Sequence, residues 1–146
     1  MKIQALGHVV VRVADRARAE KFYTEILGLP LCARYDGEGA KMAFFTLGDH
    51  HNFAVMEVAG AKRGPAEPAA GLHHVAFKIG DDIEQLREAK TRLEAAGIAP
   101  DPIDHEVTKS LYFADPDGNG IELYVDASDV WRRDPQRVAQ IHPLAL

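Results

Sequence analysis

The sequence predicts an α+β protein made of two copies of one βαβββ unit, and two observations carry this prediction. Two strand-like stretches, residues 6–13 and 72–79, have similar sequences, and each contains a histidine near its start. Each is followed by a helix-like segment and then by further strand-like segments. The two copies keep an offset of about 65 to 69 residues along their length, which is the signature of an internal repeat.

The first copy carries recognisable helix and strand signals in order. After the strand of residues 6–13, Asp15 can cap a helix that Gly28 ends. Residues 41–47 and 51–58 are then strand-like and flank a turn at Gly48 and Asp49. The helix is expected from apolar residues spaced by three and four, which are Ala19, Phe22, Tyr23, Ile26 and Leu27.

The second copy repeats this order. Asp81 or Asp82 can cap its helix, and Gly97 ends it. Residues 109–113 and 120–125 are strand-like, and the residues between them form a turn rich in Asp, Gly and Asn. The apolar positions of this helix are Ile83, Leu86, Ala89, Leu93 and Ala96.

The chain of 146 residues is expected to form one domain with four parts. The first module covers residues 3–59 and the second covers residues 72–126. Residues 60–71 are rich in Gly, Pro and Ala and are predicted to be the linker between them. Residues 127–146 lie outside the repeat and form a tail.

Composition restricts the classes of function. The formal net charge of −5 argues against a nucleic-acid binder, which needs a concentrated basic surface, and gives no reason to expect a membrane partner. A single cysteine excludes an internal disulfide, and no apolar run approaches the roughly 20 residues of a membrane span. The N-terminus runs directly into a strand without a signal segment, so we expect the cytoplasm as the compartment.

Two histidines and one carboxylate are the candidate metal ligands. His8 and His74 occupy the same position in the two copies, and Glu122 lies in the apolar closing strand of the second copy. A carboxylate in such a strand needs a partner, either a metal ion or a cationic side chain, because an isolated buried charge is very costly. If the two copies pair face to face, the three side chains converge, and this ligand set suits Fe(II) and related divalent ions.

The chain resembles the vicinal oxygen chelate superfamily, which includes glyoxalases, bleomycin-type resistance proteins and extradiol dioxygenases. The resemblance spans residues 3–126 and is most specific at residues 72–77 (LHHVAF) and 111–124 (LYFADPDGNGIELY). It implies two βαβββ modules that form a half-open β-barrel around a metal cleft. One fold serves several chemistries, so the resemblance alone does not define the reaction.

Three features are similar to the extradiol dioxygenase branch. The resemblance assigns His51, in the segment 49–54 (DHHNFA), the role of active-site acid/base. It implies that His105 forms a hydrogen bond with the substrate and that the hydroxyl of Tyr112 contacts a catecholate oxygen. It also implies Fe(II) as the metal, with Mn(II), Ni(II) or Zn(II) as alternatives, and an aromatic catechol-type substrate that is cleaved with O2.

Two other hypotheses of function are compatible with the sequence. Glu57 aligns with a fourth ligand of glyoxalases, which would favour a metal-dependent isomerase or lyase; alternatively it faces the linker or pairs with Arg12 or Lys78. A resistance-type protein that only binds an aromatic ligand is a third hypothesis, although such proteins commonly lack the metal triad.

Modules of this superfamily pair within a chain or across a dimer. We expect a homodimer, with the tail around Trp131 as a candidate contact.

Overall fold

Two β-sheets, of four and five strands, make up the structure, a computed structural model that describes residues 4–61 and 71–146. The prediction of two βαβββ modules is confirmed, since each sheet is accompanied by one principal helix in that order. Most of the predicted linker, residues 60–71, lies outside the described residues. No helix in the described part of the chain has the length and apolar character needed to cross a membrane.

The contacts divide the chain into two units. Unit 1 contains the described residues of the range 1–69 together with the turn Asp115–Asn119. Unit 2 contains the described residues of the ranges 70–114 and 120–146. The turn that joins two strands of unit 2 therefore makes its contacts in unit 1.

Unit 1 has the strand order β1-β4-β3-β2, in which β1 and β4 are parallel and the other pairs antiparallel. The strand β2 was not located from the sequence because most of its residues are exposed and show no apolar alternation. The elements are β1 (Val9–Val13), α1 (Arg16–Lys21) with a π-helical turn (Phe22–Ile26), β2 (Leu31–Gly37), β3 (Ala40–Phe45) and β4 (Phe53–Glu57).

The first helix begins and ends where the sequence predicts. The side chain of Asp15 accepts a hydrogen bond from the backbone N–H of Arg18 at 3.0 Å, which satisfies one free donor of the first turn. Gly28 adopts a φ of 76°, a conformation that glycine takes at little cost, and so ends the helical segment. Tyr23 on this segment packs against Phe53 with ring centroids 4.7 Å apart, which places the helix over the sheet.

Unit 2 has the strand order β5-β8-β7-β6-β9. Asp82, rather than Asp81, caps the second helix through a capping box with Gln85. The strand β6 was not located from the sequence because Pro and Asp, which strands disfavour, supply much of it. The elements are β5 (Val75–Gly80), α2 (Ile83–Ala95), β6 (Asp101–Asp104), β7 (Thr108–Ala114), β8 (Gly120–Asp126), two 3₁₀ helices (Val130–Arg132 and Pro135–Ala139) and β9 (His142–Pro143).

Side-chain alternation separates the two faces of the second sheet. Leu111 on β7 and Ile121 on β8 are fully buried on the face that α2 covers, and Leu86 and Leu93 of α2 are buried there as well. The neighbouring positions of the same strands point to the opposite face. That second face is therefore free to carry polar side chains, and the candidate site lies on it.

The turn Asp115–Asn119 forms a polar core in unit 1. The carboxylate of Asp115, only 1% exposed, accepts hydrogen bonds from the Tyr23 hydroxyl at 2.9 Å and from the backbone N–H groups of Asp117 and Asn119. Asp117 in turn accepts from the Arg18 guanidinium at 2.6 Å. These contacts satisfy the buried Asp115 carboxylate, which would otherwise be costly, and the Oδ1 atom of Asp117, whereas the buried Oδ2 atom of Asp117 has no hydrogen-bond partner among the described residues.

Removing the Tyr23 hydroxyl is expected to destabilise the fold. Burial, and then the charge of Asp115, raise the pKa of this hydroxyl, so it stays a hydrogen-bond donor at all ordinary pH values. Tyr23→Phe should lower the free energy of unfolding by about 1–3 kcal/mol, measured by urea denaturation, because it leaves a buried carboxylate short of one donor. Tyr35→Phe, at a tyrosine that is 50% exposed, is the matched control. Equal stabilities of the two variants would contradict this account.

Candidate metal centre

Two of the predicted ligands meet on the open face of unit 2. His74 lies immediately before β5, and Glu122 lies in β8. These strands are parallel, and Ala76, two residues after His74, pairs with Glu122, so alternation places the histidine and the carboxylate on one face. The Nε2 atom of His74 is 3.0 Å from Oε2 of Glu122.

The surroundings of Glu122 supply hydrogen-bond partners to a buried carboxyl group. Glu122 is 7% exposed, and its Oε1 atom accepts a hydrogen bond of 2.6 Å from the buried hydroxyl of Ser110. Its other oxygen faces His74, so its partners are an imidazole and a hydroxyl. Ser110 was not predicted from the sequence, although its position two residues before Tyr112 in β7 places both side chains on one face.

The donor set fits a divalent metal ion. The Nε2 atom of His74 and the Oε2 atom of Glu122 are 3.0 Å apart. An imidazole nitrogen and a carboxylate oxygen are donors that divalent ions accept, so these two side chains would hold such an ion together.

A second histidine orients the ring of His74. The Nδ1 atoms of His73 and His74 are 2.7 Å apart. When Nε2 of His74 is a ligand, its Nδ1 carries the proton and donates to His73. Outer partners of this kind hold a ligand ring in place and raise its basicity. The sequence shows the adjacent histidines but not this contact.

Gly120 makes room for this pair of histidines. A Cβ atom at Gly120 would lie 2.2 Å from the carbonyl oxygen of His73 and 3.1 Å from Cβ of His74. Because both contacts involve backbone or its first side-chain atom, a side chain here would push the ligand segment away from β8. Glycine at this position is therefore required by the close approach of the two segments.

Gly120→Ala is expected to weaken metal binding by about 10-fold to 100-fold, the effect typical of disturbing a ligand's support. The fold should persist because the shift is confined to the segment before β5. Gly71→Ala is the matched control, since nothing lies within 4 Å of a Cβ atom there. Competition with a fluorescent chelator would measure both affinities. Equal affinities of Gly120→Ala and Gly71→Ala would show that this approach does not support the site.

Two more predicted residues lie beside the pair. Tyr112 pairs with Glu122 across β7 and β8, and its ring packs edge-on against His74 at 5.3 Å between centroids. The Nε2 atom of His105 is 3.0 Å from the Tyr112 hydroxyl. Burial, and then the charge of Glu122, raise the pKa of Tyr112 to about 12, so the hydroxyl keeps its proton at neutral pH.

The remaining predicted residues, His8 and His51, meet in unit 1. Their rings are 4.4 Å apart, because the backbone N–H of Val9 donates to the carbonyl oxygen of Asn52 and so joins the two segments. His51 lies in the loop before β4 rather than within the strand. Loss of hydration, and then the neighbouring His8 and His50 rings, lower the pKa of His51.

The structure thus brings the predicted site residues together as two sets, one in each unit. Within residues 4–61 and 71–146, no three His, Cys, Asp or Glu side chains form a cluster spaced for a metal ion. The convergence of His8 with His74 and Glu122 therefore stays a prediction.

Glu57 is engaged elsewhere in unit 1. Its Oε1 atom is 3.2 Å from Nζ of Lys41, and its Oε2 atom accepts a hydrogen bond of 2.9 Å from the backbone N–H of Arg16 at the start of α1. The expectation that this carboxylate pairs with Arg12 or Lys78 is wrong. Glu57 lies on the face of β4 that α1 covers, and both contacts lower its pKa, the Arg16 hydrogen bond most.

Strand register identifies a different counterpart of Glu122 in the first module. The residue two positions after His74 pairs with Glu122, whereas the residue two positions after His8 pairs with Ala54. The strand pairing therefore places Ala54, and not Glu57, at the position in the first module that is equivalent to Glu122. An alanine at the equivalent position cannot be a fourth ligand.

The fold defines a protein of two βαβββ modules. Residues 5–123 match the model of the Glyoxalase/Bleomycin resistance protein/Dioxygenase superfamily. The chain belongs to this family, which confirms the resemblance found in the sequence.

Individual relatives represent different reactions. The chain is 35% identical over 122 residues to biphenyl-2,3-diol 1,2-dioxygenase 2 of Rhodococcus globerulus, covering 82% of this chain and 62% of that enzyme. It is 32% identical over 124 residues to the glutathione transferase FosA of Serratia marcescens, covering 84% and 82%. The chain thus spans less than two thirds of the dioxygenase.

The structure is similar to that of a glyoxylase/bleomycin resistance protein/dioxygenase domain from Frankia sp. EAN1pec. The TM-score is 0.73 at 24% identity, covering 86% of this chain and 99% of that one. At this identity the likeness describes the fold alone.

Proposed function

We propose that the protein is an Fe(II)-dependent extradiol dioxygenase that cleaves an aromatic vicinal diol. The observation that carries this proposal is the pair of His74 and Glu122 beside Tyr112 and His105 on one sheet face. The 35% identity to a biphenyl-2,3-diol dioxygenase supports the same reaction. Fe(II) is the metal we favour, and Mn(II), Ni(II) and Zn(II) are the alternatives.

The metal would be held by His8, His74 and Glu122. Two imidazoles and one carboxylate leave coordination positions open, which is the arrangement suited to iron oxygenases. When bound, the ion supplies Lewis acidity and a path for electrons between the diol and O2. The hydrogen bonds of Glu122 and His74 to Ser110 and His73 keep the donor atoms oriented before the ion arrives.

The neighbouring side chains would handle the substrate. His51 lies against His8 and would accept the proton that a diol hydroxyl must lose, a role that suits an imidazole near neutral pH. Tyr112 and His105 form a hydrogen-bonded pair and would position the ring oxygens.

The isomerase alternative requires Glu57 as a fourth ligand. Its contacts with Lys41 and Arg16 and the presence of Ala54 at the equivalent register position both speak against it. The open three-ligand set suits a reaction in which substrate and O2 both need access to the metal. This difference is why we favour the dioxygenase over the isomerase.

We further propose a homodimer in which the two modules complete each other's cleft. Light scattering after size-exclusion chromatography should give a mass of about twice 16.0 kDa. A species of 16.0 kDa alone would reject the dimer and leave pairing within one chain.

Oxygen consumption tests the proposed reaction. Protein reconstituted anaerobically with Fe(II) would be mixed with substituted catechols, beginning with 2,3-dihydroxybiphenyl, in an oxygen electrode. We expect one O2 consumed per diol and, with ¹⁸O₂, both labelled atoms in a ring-opened product by mass spectrometry. The same protein loaded with Zn(II) is the control. No oxygen uptake from stoichiometrically iron-loaded protein across the panel would overturn the proposal, and methylglyoxal with thiols would be the next substrates.

A further inference from the structure

The C-terminal tail, residues 127–146, holds the loop that carries His105. The Nδ1 atom of His105 is 2.7 Å from the backbone carbonyl oxygen of Gln140. The other ring nitrogen, Nε2, is 3.0 Å from the hydroxyl of Tyr112. One imidazole thus joins the tail to the candidate site.

These two contacts determine where the proton of a neutral His105 ring lies. A carbonyl oxygen can only accept a hydrogen bond, so Nδ1 must be the protonated nitrogen. The Nε2 atom of the same neutral ring then has a lone pair and accepts, so the Tyr112 hydroxyl donates to it. The hydroxyl proton is therefore committed to His105, and Tyr112 can offer a ligand only its oxygen lone pairs.

The tail also contacts the residues that precede and follow His105 in the chain. Arg137 Nε is 2.5 Å from a carboxylate oxygen of Glu106, and the strand β9 pairs His142 with Asp104 at the end of β6. At the other end of the loop, two backbone N–H groups of the tail, those of residues 127 and 128, donate to the carbonyl oxygen of Val107.

The backbone of the loop also indicates that it is held in place. Glu106 has a φ of 63°, the left-handed region that residues other than glycine rarely adopt. Such a conformation persists where the surroundings enforce it. Here the Glu106 N–H donates to a carboxylate oxygen of Asp104 at 2.6 Å, and Arg137 of the tail holds its side chain.

We propose that the tail is a positioning element of the site: the Gln140 carbonyl fixes His105 in its Nδ1-protonated form, and Tyr112 consequently presents an acceptor to the ligand. The group that binds Tyr112 is then a hydrogen-bond donor, such as a protonated ring hydroxyl, rather than a carbonyl or an ether. The preference of Tyr112 for a hydrogen-bond donor matters for catalysis only if the proposed function holds, whereas the position of the proton on the His105 ring does not depend on that function.

Nitrogen NMR tests the ring state without any turnover. In protein labelled with ¹⁵N-histidine, long-range ¹H–¹⁵N spectra distinguish protonated from unprotonated ring nitrogens, and His105→Gln assigns the signals. We expect Nδ1 protonated and Nε2 unprotonated in the full chain above pH 7.5. A chain that ends at Asp134 should show the Nε2-protonated or an exchanging form, whereas a chain that ends at Pro143 should match the full chain. Nε2 protonation in the full chain, or an unchanged ring state in the folded shorter chain, would overturn the proposal.

Arg137→Met replaces the shortened chain in the NMR experiment if the chain ending at Asp134 does not fold. It removes the ion pair with Glu106 while keeping the tail, and Lys90→Met, which removes an exposed ion pair on α2, is its matched control. We expect partial conversion of the His105 signals in the first variant and none in the control. Identical His105 signals in both variants would overturn the proposal.

Binding provides a second readout that separates this proposal from the proposed reaction. The chain ending at Asp134 should retain metal affinity within about 2-fold but bind a diol about 10-fold more weakly, the effect of one lost hydrogen bond to a ligand. The corresponding methyl ether should bind both chains equally. Failure of turnover with the expected NMR and binding results would reject the dioxygenase alone, and equal diol affinity of both chains would reject the role of the tail.

Discussion

Glu122→Gln is expected to lose metal binding, with affinity reduced by about 100-fold or more, and with it all activity. The substitution removes the only anionic ligand of the proposed set while keeping the size of the side chain. The fold should survive, because a neutral amide in a buried position costs less than the charge it replaces. Fe(II) titration under anaerobic conditions and metal analysis after dialysis would measure the loss.

Glu57→Gln is the matched control for this prediction. Glu57 is held by Lys41 and the Arg16 N–H, so its substitution should leave metal affinity unchanged and lower the free energy of unfolding slightly. Unchanged affinity in Glu122→Gln would contradict the proposed ligand set. A loss of affinity in Glu57→Gln would instead support four ligands and the isomerase alternative.

His51→Gln is expected to reduce turnover by about 10²-fold to 10⁴-fold while leaving metal content unchanged. The size of the effect is that of losing a general acid/base, which glutamine cannot replace. His51 packs against His8 but is not one of the proposed ligands. Turnover under substrate saturation, with iron content determined on the same samples, would measure the effect.

His50→Gln, at the adjacent and more exposed position, is the control for His51. It should keep turnover within about 3-fold, as a surface substitution near a site does. Loss of metal from His51→Gln would contradict the separation of roles, since it would make His51 a ligand. Equal losses of turnover in both variants would remove the case for a specific acid/base.

Local signals in the sequence predicted much of the fold. The caps at Asp15 and Asp82 and the glycines at positions 28 and 97 define both helices, because a cap depends on a few neighbouring residues. The repeat predicted which strands are equivalent. It also led to the expectation that His74 and Glu122 converge, and the structure places their donor atoms 3.0 Å apart.

Features that depend on tertiary contact were not predictable. The offset between paired strands of the two modules is not constant. The sequence therefore indicated Glu57 as the candidate carboxylate ligand of the first module, whereas the strand register places Ala54 at the position equivalent to Glu122. The contacts of Ser110 with Glu122 and of Gln140 with His105 join residues from different elements. No local pattern marks either of them. The edge strands were missed because their residues are exposed or disfavoured in strands.

A direct count of coordinated histidines tests the central claim that one ion is bound by His8, His74 and Glu122. The Fe(II) protein would be treated with nitric oxide, and electron spin echo modulation of the paramagnetic complex would count the bound imidazoles. We predict two imidazoles in the unmodified protein and one each in His8→Gln and His74→Gln. Two coordinated imidazoles remaining in His8→Gln would contradict the account, because the ion would then be bound without the first module's ligand.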